Sequence, residues 1–294
     1  MTREDVGHRP ADVGLVLGGI ASVQCAAAVA TRMFDDVGPA GATLIRTLLA
    51  AALLLAVARP AARRAGRDAW RAIVPYGAAL GLMNLAFYEG VARVDLGVAV
   101  AVEFLGPLAV GALLARRPRD RVWVAAAAVG VLALTAPWSA DGADPVGIAW
   151  LLLAGACWAA YILLGGRAST VLPGLQPVAL AMAVAAAVAL VPGIADGGGA
   201  LLGGHVLLLG LVAASFGSAI PYGLEQLALR RIAPGAFGVL MALEPGMAML
   251  AGLAVLGQRP DPLGVAGLAL VVAAGIGVSR APALPRRPSP SEVG

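Results

Sequence analysis

The sequence predicts an all-α integral membrane protein whose ten transmembrane helices form two inverted repeats of five helices each. Three observations lead to this prediction: apolar segments fill most of the 294 residues, arginines concentrate in alternate loops, and the second half resembles the first. Hydrophobic residues make up 60% of the chain and charged residues 13%, whereas about 25% of the residues of a soluble domain are charged. This composition excludes an ordinary soluble domain.

Ten apolar segments are predicted to cross the membrane. A hydrocarbon core about 30 Å thick requires roughly 20 helical residues. The segments are residues 13–30, 40–58, 72–92, 96–115, 122–137, 146–166, 177–195, 206–228, 234–256 and 262–279. We assign residues 13–138 to a first repeat and 146–280 to a second. We expect residues 1–12 to form a cytoplasmic N-terminal tail and residues 281–294 to form a disordered cytoplasmic tail.

The distribution of arginine predicts the orientation of the chain. All 21 basic residues are arginines, and 17 of them lie in tails and alternate loops on one side, against three on the other. Basic residues gather in cytoplasmic loops, so we expect both termini in the cytoplasm. Arginine without lysine indicates a GC-rich bacterial genome. Together with the ten apolar segments, this predicts a multi-pass protein of the bacterial inner membrane. The alternative, a signal peptide cleaved after residues 28–30, would remove Gln24.

The two halves share a framework of glycine and proline. Residues 92–99 align with 230–237 and, without a gap, Leu105-Gly106-Pro107 aligns with Leu243-Glu244-Pro245. Because each half has an odd number of segments, the halves enter the membrane from opposite sides. Inverted repeats of this kind build many secondary transporters, whose sites lie near the middle of the membrane. The alternative is chance similarity between two Ala-, Leu- and Gly-rich segments.

Polar side chains lie inside several of the predicted helices. A charged side chain at the centre of such a helix costs about 2.5–3.5 kcal/mol, so these residues face a polar interior or each other. The candidate substrate-binding residues are Gln24, Arg46, Asn84, Glu103, Trp158, Tyr161 and Glu244. Pro107 and Pro245 are candidate helix discontinuities, because proline leaves the carbonyl four residues earlier without its helical donor. A plain structural kink is the alternative.

Four stretches resemble the drug/metabolite transporter superfamily of the EamA type, and most of all its bacterial threonine/homoserine exporter branch. They are residues 97–108, 156–162, 219–225 and 237–245. The resemblance implies a secondary-active exporter of small amino acids or related metabolites, which we expect to be coupled to protons. The chain departs from the family pattern at Gln258, where the family commonly has glutamate, and at Glu89, where we expect an apolar residue.

Arg46 and Glu103 are the residues that we expect to bind an amino acid directly. Arg46 suits the carboxylate of the substrate, and Glu103 suits its ammonium group or a proton, because opposite charges stabilise each other at short range. The alternative is an ion pair of Arg46 with Glu103 or Glu244 that only orders the helices.

Two other functions compete with amino-acid export. A broad drug or metabolite efflux transporter is the nearest alternative, and an intramembrane enzyme is a remote one. An intramembrane hydrolase needs an activated serine, paired aspartates or a metal site, and the predicted spans contain neither histidine nor aspartate. We therefore expect no enzyme activity, no cofactor and no metal. The arginines flank the helices, which argues against nucleic-acid binding; the expected partners are a small-molecule substrate, protons and membrane lipid.

Overall fold

The computed structural model describes residues 10–59, 66–114, 121–136, 143–221 and 241–279, and within these ranges the chain is all-α, as the sequence predicts. Residues 222–240 of the predicted eighth and ninth spans and the predicted tails lie outside these ranges, except for residues 10–12, which are helical. The helices, numbered in chain order, are α1 (Pro10–Thr31), α2 (Phe34–Ala58), α3 (Arg67–Val91), α4 (Leu96–Glu103), α5 (Leu105–Leu114), α6 (Arg121–Thr135), α7 (Pro145–Val171), α8 (Gln176–Gly197), α9 (Gly204–Ala214), α10 (Glu244–Ala251) and α11 (Pro262–Ser279).

Three stretches of the described chain are long and apolar enough to cross a membrane: α2, α7, and α8 together with the 3-10 turn that follows it. Shorter apolar helices are Val16–Thr31, Leu96–Val110, Val122–Thr135, Gly204–Ala219, Glu244–Leu256 and Pro262–Gly277. Large hydrophobic side chains lie on the outside of the bundle, for example Val191 and Leu202, which are 76% and 80% exposed. An apolar outer surface of this kind is typical of a protein in contact with lipid or another apolar partner.

The helices pack so that each half of the chain contacts the other. α2 packs along α8, α3 along α7 and α8, α4 against α10, and α6 against α11, while α1 contacts α9 and α10. Small residues permit close approach, as is common between membrane helices. A Cβ atom added at Gly77 of α3 would lie 2.6 Å from the backbone of α8, and one added at Gly81 would lie 2.9 Å from it.

α2 is interrupted near its start. Gly38 has φ 68° and ψ 171°, and Pro39 follows it, so the regular helix begins again at the position where the sequence predicts the second span. The backbone N–H of Ala40 donates to Oδ2 of Asp196 at 3.2 Å. A side chain at the end of α8 therefore caps the restarted part of α2.

The predicted fourth span is two helices. α4 ends at Glu103, Phe104 forms a turn, and α5 begins at Leu105, which makes Pro107 the third residue of α5. Pro107 cannot donate to the carbonyl of Glu103. A Cβ atom added at Gly155 of α7 would lie 2.8 Å from that carbonyl oxygen, so the junction packs directly against the backbone of α7.

Gly106→Ala is expected to destabilise the protein, because the new methyl group would clash with the backbone carbonyl of Gly155. Overpacking costs about 1–3 kcal/mol where side chains can adjust, and here the obstacle is main chain. Gly246→Ala in α10 is the matched control, since a Cβ there meets nothing within 4 Å. Thermal unfolding in detergent should show a lower Tm for Gly106→Ala only; equal Tm values for both variants would contradict this packing.

Candidate functional site

Six helices surround a cavity of about 120 Å³ in the interior of the bundle. The helices are α1, α2, α3, α4, α7 and α10. The cavity is lined by Val23, Gln24, Ala27, Arg46, Met83, Asn84, Phe87, Val100, Glu103, Trp158 and Glu244. Of the seven candidate substrate-binding residues, six therefore lie around one chamber, which we call the central cavity; their role in binding stays a prediction.

Arg46 is held by neutral hydrogen-bond acceptors. Its Nη1 donates to Oδ1 of Asn84 at 2.9 Å and to the hydroxyl of Tyr88 at 3.1 Å, and its Nη2 donates to the carbonyl of Gly217 at 3.3 Å. The guanidinium carbon also lies 5.4 Å from the centre of the Tyr88 ring, within the range of a cation–π contact. None of these contacts carries a negative charge, so they orient the guanidinium without neutralising it.

The guanidinium of Arg46 retains binding capacity. An arginine side chain has five N–H donors, and three of them are used in the hydrogen bonds above. The donor on Nε and the second donor on Nη2 have no acceptor among the described residues. Two donors on neighbouring nitrogens match the two oxygens of a carboxylate, which arginine commonly binds in a bidentate manner.

The support for Arg46 depends on a π-helical segment. Residues Ser215–Ala219 continue α9 as a π-helix, a distortion that frequently marks functional sites. In this segment the carbonyl of Phe216 accepts from the hydroxyl of Ser22 at 2.6 Å, and the next carbonyl, that of Gly217, accepts from Arg46. Gly217 also lies close to the guanidinium, since a Cβ added there would be 3.4 Å from Nε.

Two carboxyl groups line the central cavity with Arg46. Glu103 and Glu244 are only 7% and 6% exposed. Glu103 makes no hydrogen bond with another residue of the described ranges. The ion pairs within those ranges are Arg71–Asp68 and Arg93–Glu89, so no nitrogen of Arg46 lies within 4.0 Å of a Glu103 oxygen. The predicted alternative, a direct Arg46–Glu103 pair, is not what the structure contains.

Gln24 and Asn84 complete the polar lining. Both are buried, with 4% and 6% exposure. The amide of Asn84 is fixed at both ends, because Nδ2 donates to the carbonyl of Leu80 at 2.8 Å while Oδ1 accepts from Arg46. Asn84 therefore presents its oxygen to Arg46 in a single orientation.

The two aromatic candidates, Trp158 and Tyr161, lie in different surroundings. Trp158 lines the central cavity and meets Phe104 edge to face, with 6.1 Å between ring centres. Tyr161 is not part of the lining; its ring stacks on Tyr76 of α3 at 4.8 Å. Trp158 and Tyr161 are three residues apart and therefore share a face of α7. Which of them reaches a cavity depends on how the neighbouring helices pack against that face.

Proline also follows a helix interruption in the second half of the chain, at the start of α10. Glu244 and Pro245 are the first two residues of α10, and Ala242 and Leu243 form a turn before it. Pro245 cannot donate to the carbonyl of Met241. The two prolines thus each lie just after a helix interruption next to a cavity-lining glutamate.

Sequence reasoning missed Tyr88 and Gly217. Tyr88 could have been found, because it lies four residues after Asn84 and therefore on the same face of α3. Gly217 carried no signal, since its contribution is a main-chain oxygen exposed by local π-helical geometry.

Two residues that depart from the family pattern have structural partners away from the central cavity. Glu89 accepts a hydrogen bond from Arg93, one helical turn later, at 2.7 Å. Oε1 of Gln258 accepts from the backbone N–H of Leu96, the first residue of α4, at 3.1 Å.

Tyr88→Phe is expected to weaken substrate binding about tenfold, because it removes one of the hydrogen bonds that hold the cavity guanidinium, and a bond to a charged group contributes about 1.5–3 kcal/mol. Ser22→Ala is the matched control: it removes a hydroxyl from the neighbouring carbonyl, that of Phe216, outside the cavity lining. KM values from transport assays compare the two variants. Equal KM values for both variants would contradict the role of the Tyr88 hydroxyl in holding the Arg46 guanidinium.

The chain is similar to known transporters. The model of the EamA-like transporter family matches residues 145–280. The threonine/homoserine exporter RhtA of Escherichia coli strain K12 is 39% identical over 265 residues, which cover 90% of this chain and 89% of that protein. RhtA of Salmonella typhimurium strain LT2 is 38% identical over the same shares of the two chains.

A solved crystal structure shares the fold, with a TM-score of 0.60 and 20% identity over 92% of this chain and 98% of the other. The family resemblance seen in the sequence is confirmed, and with it the assignment to transporters instead of enzymes. The chain belongs to the EamA-like transporter family.

Proposed function

We propose that this protein exports small zwitterionic amino acids, of which threonine and homoserine are the first candidates, across the bacterial inner membrane in exchange for protons. The observation that carries the proposal is the central cavity. It is lined by Arg46, which has two donors without an acceptor among the described residues, and by Glu103, whose carboxyl group makes no hydrogen bond with another described residue. The names of the relatives identify threonine and homoserine as their substrates.

The chemistry of the central cavity fits both ends of an amino acid. The two Arg46 donors that have no acceptor among the described residues suit the substrate carboxylate, and Glu103 suits its ammonium group. Gln24 and Glu244 supply further polar groups for a side-chain hydroxyl. Interactions between opposite charges are stronger in the interior of a helix bundle than in bulk water.

The size of the chamber favours a small solute. The central cavity measures about 120 Å³, whereas sites for drug-sized ligands measure about 300–1,000 Å³. This observation favours an amino-acid exporter over a broad drug efflux transporter.

Exchange for protons follows from the role proposed for Glu103. The same carboxyl group binds either the ammonium group of the substrate or a proton, and the two occupants exclude each other. Protonation of Glu103 on one side of the membrane therefore favours release of the amino acid there, which couples the two movements.

The contacts between helices support the inverted-repeat architecture. In a two-fold arrangement of ten spans, the second, fourth and fifth spans pack on the seventh, ninth and tenth. The contacts of α2 with α8, α4 with α10 and α6 with α11 follow this rule. The contact of α3 with α7 corresponds to that of α9 with α1 under the same two-fold. The arginine distribution supports cytoplasmic termini.

The proposal is tested by counterflow with the purified protein in proteoliposomes, using a panel of labelled amino acids at two pH values. We expect exchange of threonine and homoserine, and faster uphill export when the trans side is acidic. Large cationic drugs should neither be transported nor compete. A protein that transports such drugs and ignores amino acids would establish the broad efflux function instead.

A further inference from the structure

A second and larger cavity, of about 580 Å³, opens at one end of the bundle, where α3 meets α4, α6 approaches α7, and α10 leads into α11. We call it the terminal recess. Its charged lining residues are Arg93, Asp95, Asp144, Arg259 and Asp261. Nothing in the proposed central site uses these residues.

Three of the five charged groups of the terminal recess are already engaged. Arg93 is paired with Glu89 at 2.7 Å. Asp144 accepts from the backbone N–H of Val146 at 2.8 Å, and Asp261 accepts from that of Gly264 at 2.5 Å. These two aspartates are helix caps for α7 and α11.

The other two charged groups, Asp95 and Arg259, are available. Neither makes an ion pair or a side-chain hydrogen bond with another residue in the described part of the chain. The surroundings of Asp95 raise its pKa through desolvation, although its side chain remains exposed, and no cation offsets this effect. The terminal recess thus holds one carboxylate and one guanidinium, of opposite sign, that do not pair with each other.

The terminal recess is separated from the central cavity by a narrow seam between α4 and α10. A Cβ added at Gly97 would lie 2.9 Å from Cβ of Met249, and both residues line the recess. Val100 of the central cavity lies three residues further along α4, about 4.5 Å by helical rise. The hydrogen bond from Leu96 to Gln258 holds the same seam at the end of the bundle.

We propose that the terminal recess is a second binding site for a small zwitterionic amino acid, with the carboxylate at Arg259 and the ammonium group at Asp95. The identity of the ligand rests on the proposed function. In the proposed orientation this end of the bundle faces the periplasm. An exported amino acid then enters the recess after crossing the α4–α10 seam, and a high external concentration fills the recess and slows export.

The test measures binding of labelled L-threonine and L-homoserine to the purified full-length Arg46→Gln variant by equilibrium dialysis. We expect residual binding, weaker than that of the unmodified protein, which threoninol and N-acetylthreonine do not displace because each lacks one of the two charges. Adding Arg259→Gln or Asp95→Asn should weaken the residual binding at least tenfold. Arg32→Gln is the control, since Arg32 contacts the carbonyl of Val255 outside the recess lining.

A second measurement keeps the proposal testable if the Arg46 variant does not fold. In proteoliposomes with Arg46 intact, the external threonine concentration that halves export should rise at least tenfold with Arg259→Gln and stay unchanged with Arg32→Gln. Absence of residual binding in a folded Arg46→Gln protein, or binding that ignores Arg259 and Asp95, would overturn the recess site alone. Absence of any amino-acid transport by the unmodified protein would overturn the proposed function.

Discussion

Replacement of Arg46 by lysine is expected to lower the kcat/KM of threonine exchange at least 100-fold. Lysine keeps the positive charge but loses the planar fork and the fixed contacts with Asn84, Tyr88 and Gly217. Hydrogen bonds to charged groups contribute about 1.5–3 kcal/mol each, and about 2.7 kcal/mol corresponds to 100-fold. The expected loss in kcat/KM therefore corresponds to the free energy of roughly one or two such hydrogen bonds to the substrate.

The matched control for this replacement is Arg71→Lys. Arg71 is exposed at the start of α3, where it pairs with Asp68 at 3.1 Å, and exposed pairs contribute about 0–1 kcal/mol. Counterflow with labelled threonine should be unchanged in this control. If Arg46→Lys also transports normally, the guanidinium does not recognise the substrate by its shape.

Replacement of Glu103 by glutamine is expected to abolish uphill export driven by a pH gradient. Glutamine has nearly the same shape, so the packing around this buried position is kept, but it binds no proton at physiological pH. It also removes the charge opposite the substrate ammonium group, so threonine-for-threonine exchange should fall at least tenfold, or about 1.4 kcal/mol.

Asp68→Asn is the control for the loss of a carboxylate, since Asp68 is exposed and does not line the central cavity. Export is measured in proteoliposomes with and without an imposed pH gradient. Gradient-driven accumulation that survives in Glu103→Gln would show that the coupling proton binds elsewhere, and Glu244 would then be the next candidate.

The depth of polar residues was predictable from the sequence, and so was much of the central cavity. Gln24, Arg46, Asn84 and Glu103 each lie about six to eight residues inside one end of a predicted span, or roughly 10 Å by helical rise. Helices of similar tilt bring residues of equal depth to one level. The high cost of isolated charges in lipid then directs them inwards, towards one chamber.

Features that depend on contacts between distant segments were not predictable. Tyr161 packs on Tyr76 because of how α3 lies against α7, which helical periodicity in α7 alone does not reveal. The interruption at Gly38 is stabilised by Asp196, 156 residues from the Ala40 N–H that it caps. The π-helical carbonyl of Gly217 has no side-chain signature at all. These features depend on how the helices pack against each other, which the local sequence does not reveal.

The proposed inverted repeat has a sequence signal of a different kind. Proline and glycine impose backbone constraints wherever they occur, so Gly106-Pro107 and Glu244-Pro245 each follow a helix interruption. The polar residues at the cavity differ between the halves, however, because within the described ranges the arginine that lines the cavity, Arg46, belongs to the first half. In the proposed repeat, the helix interruptions are similar in the two halves, and the cavity-lining side chains differ.

The most direct test of the account is a determined structure of the protein with L-threonine bound. We predict that the threonine carboxylate lies within hydrogen-bond distance of Nε and Nη2 of Arg46 and that its nitrogen contacts the carboxyl group of Glu103 in the central cavity. Threonine bound elsewhere, with Arg46 still making only its contacts to Asn84, Tyr88 and Gly217, would contradict the account.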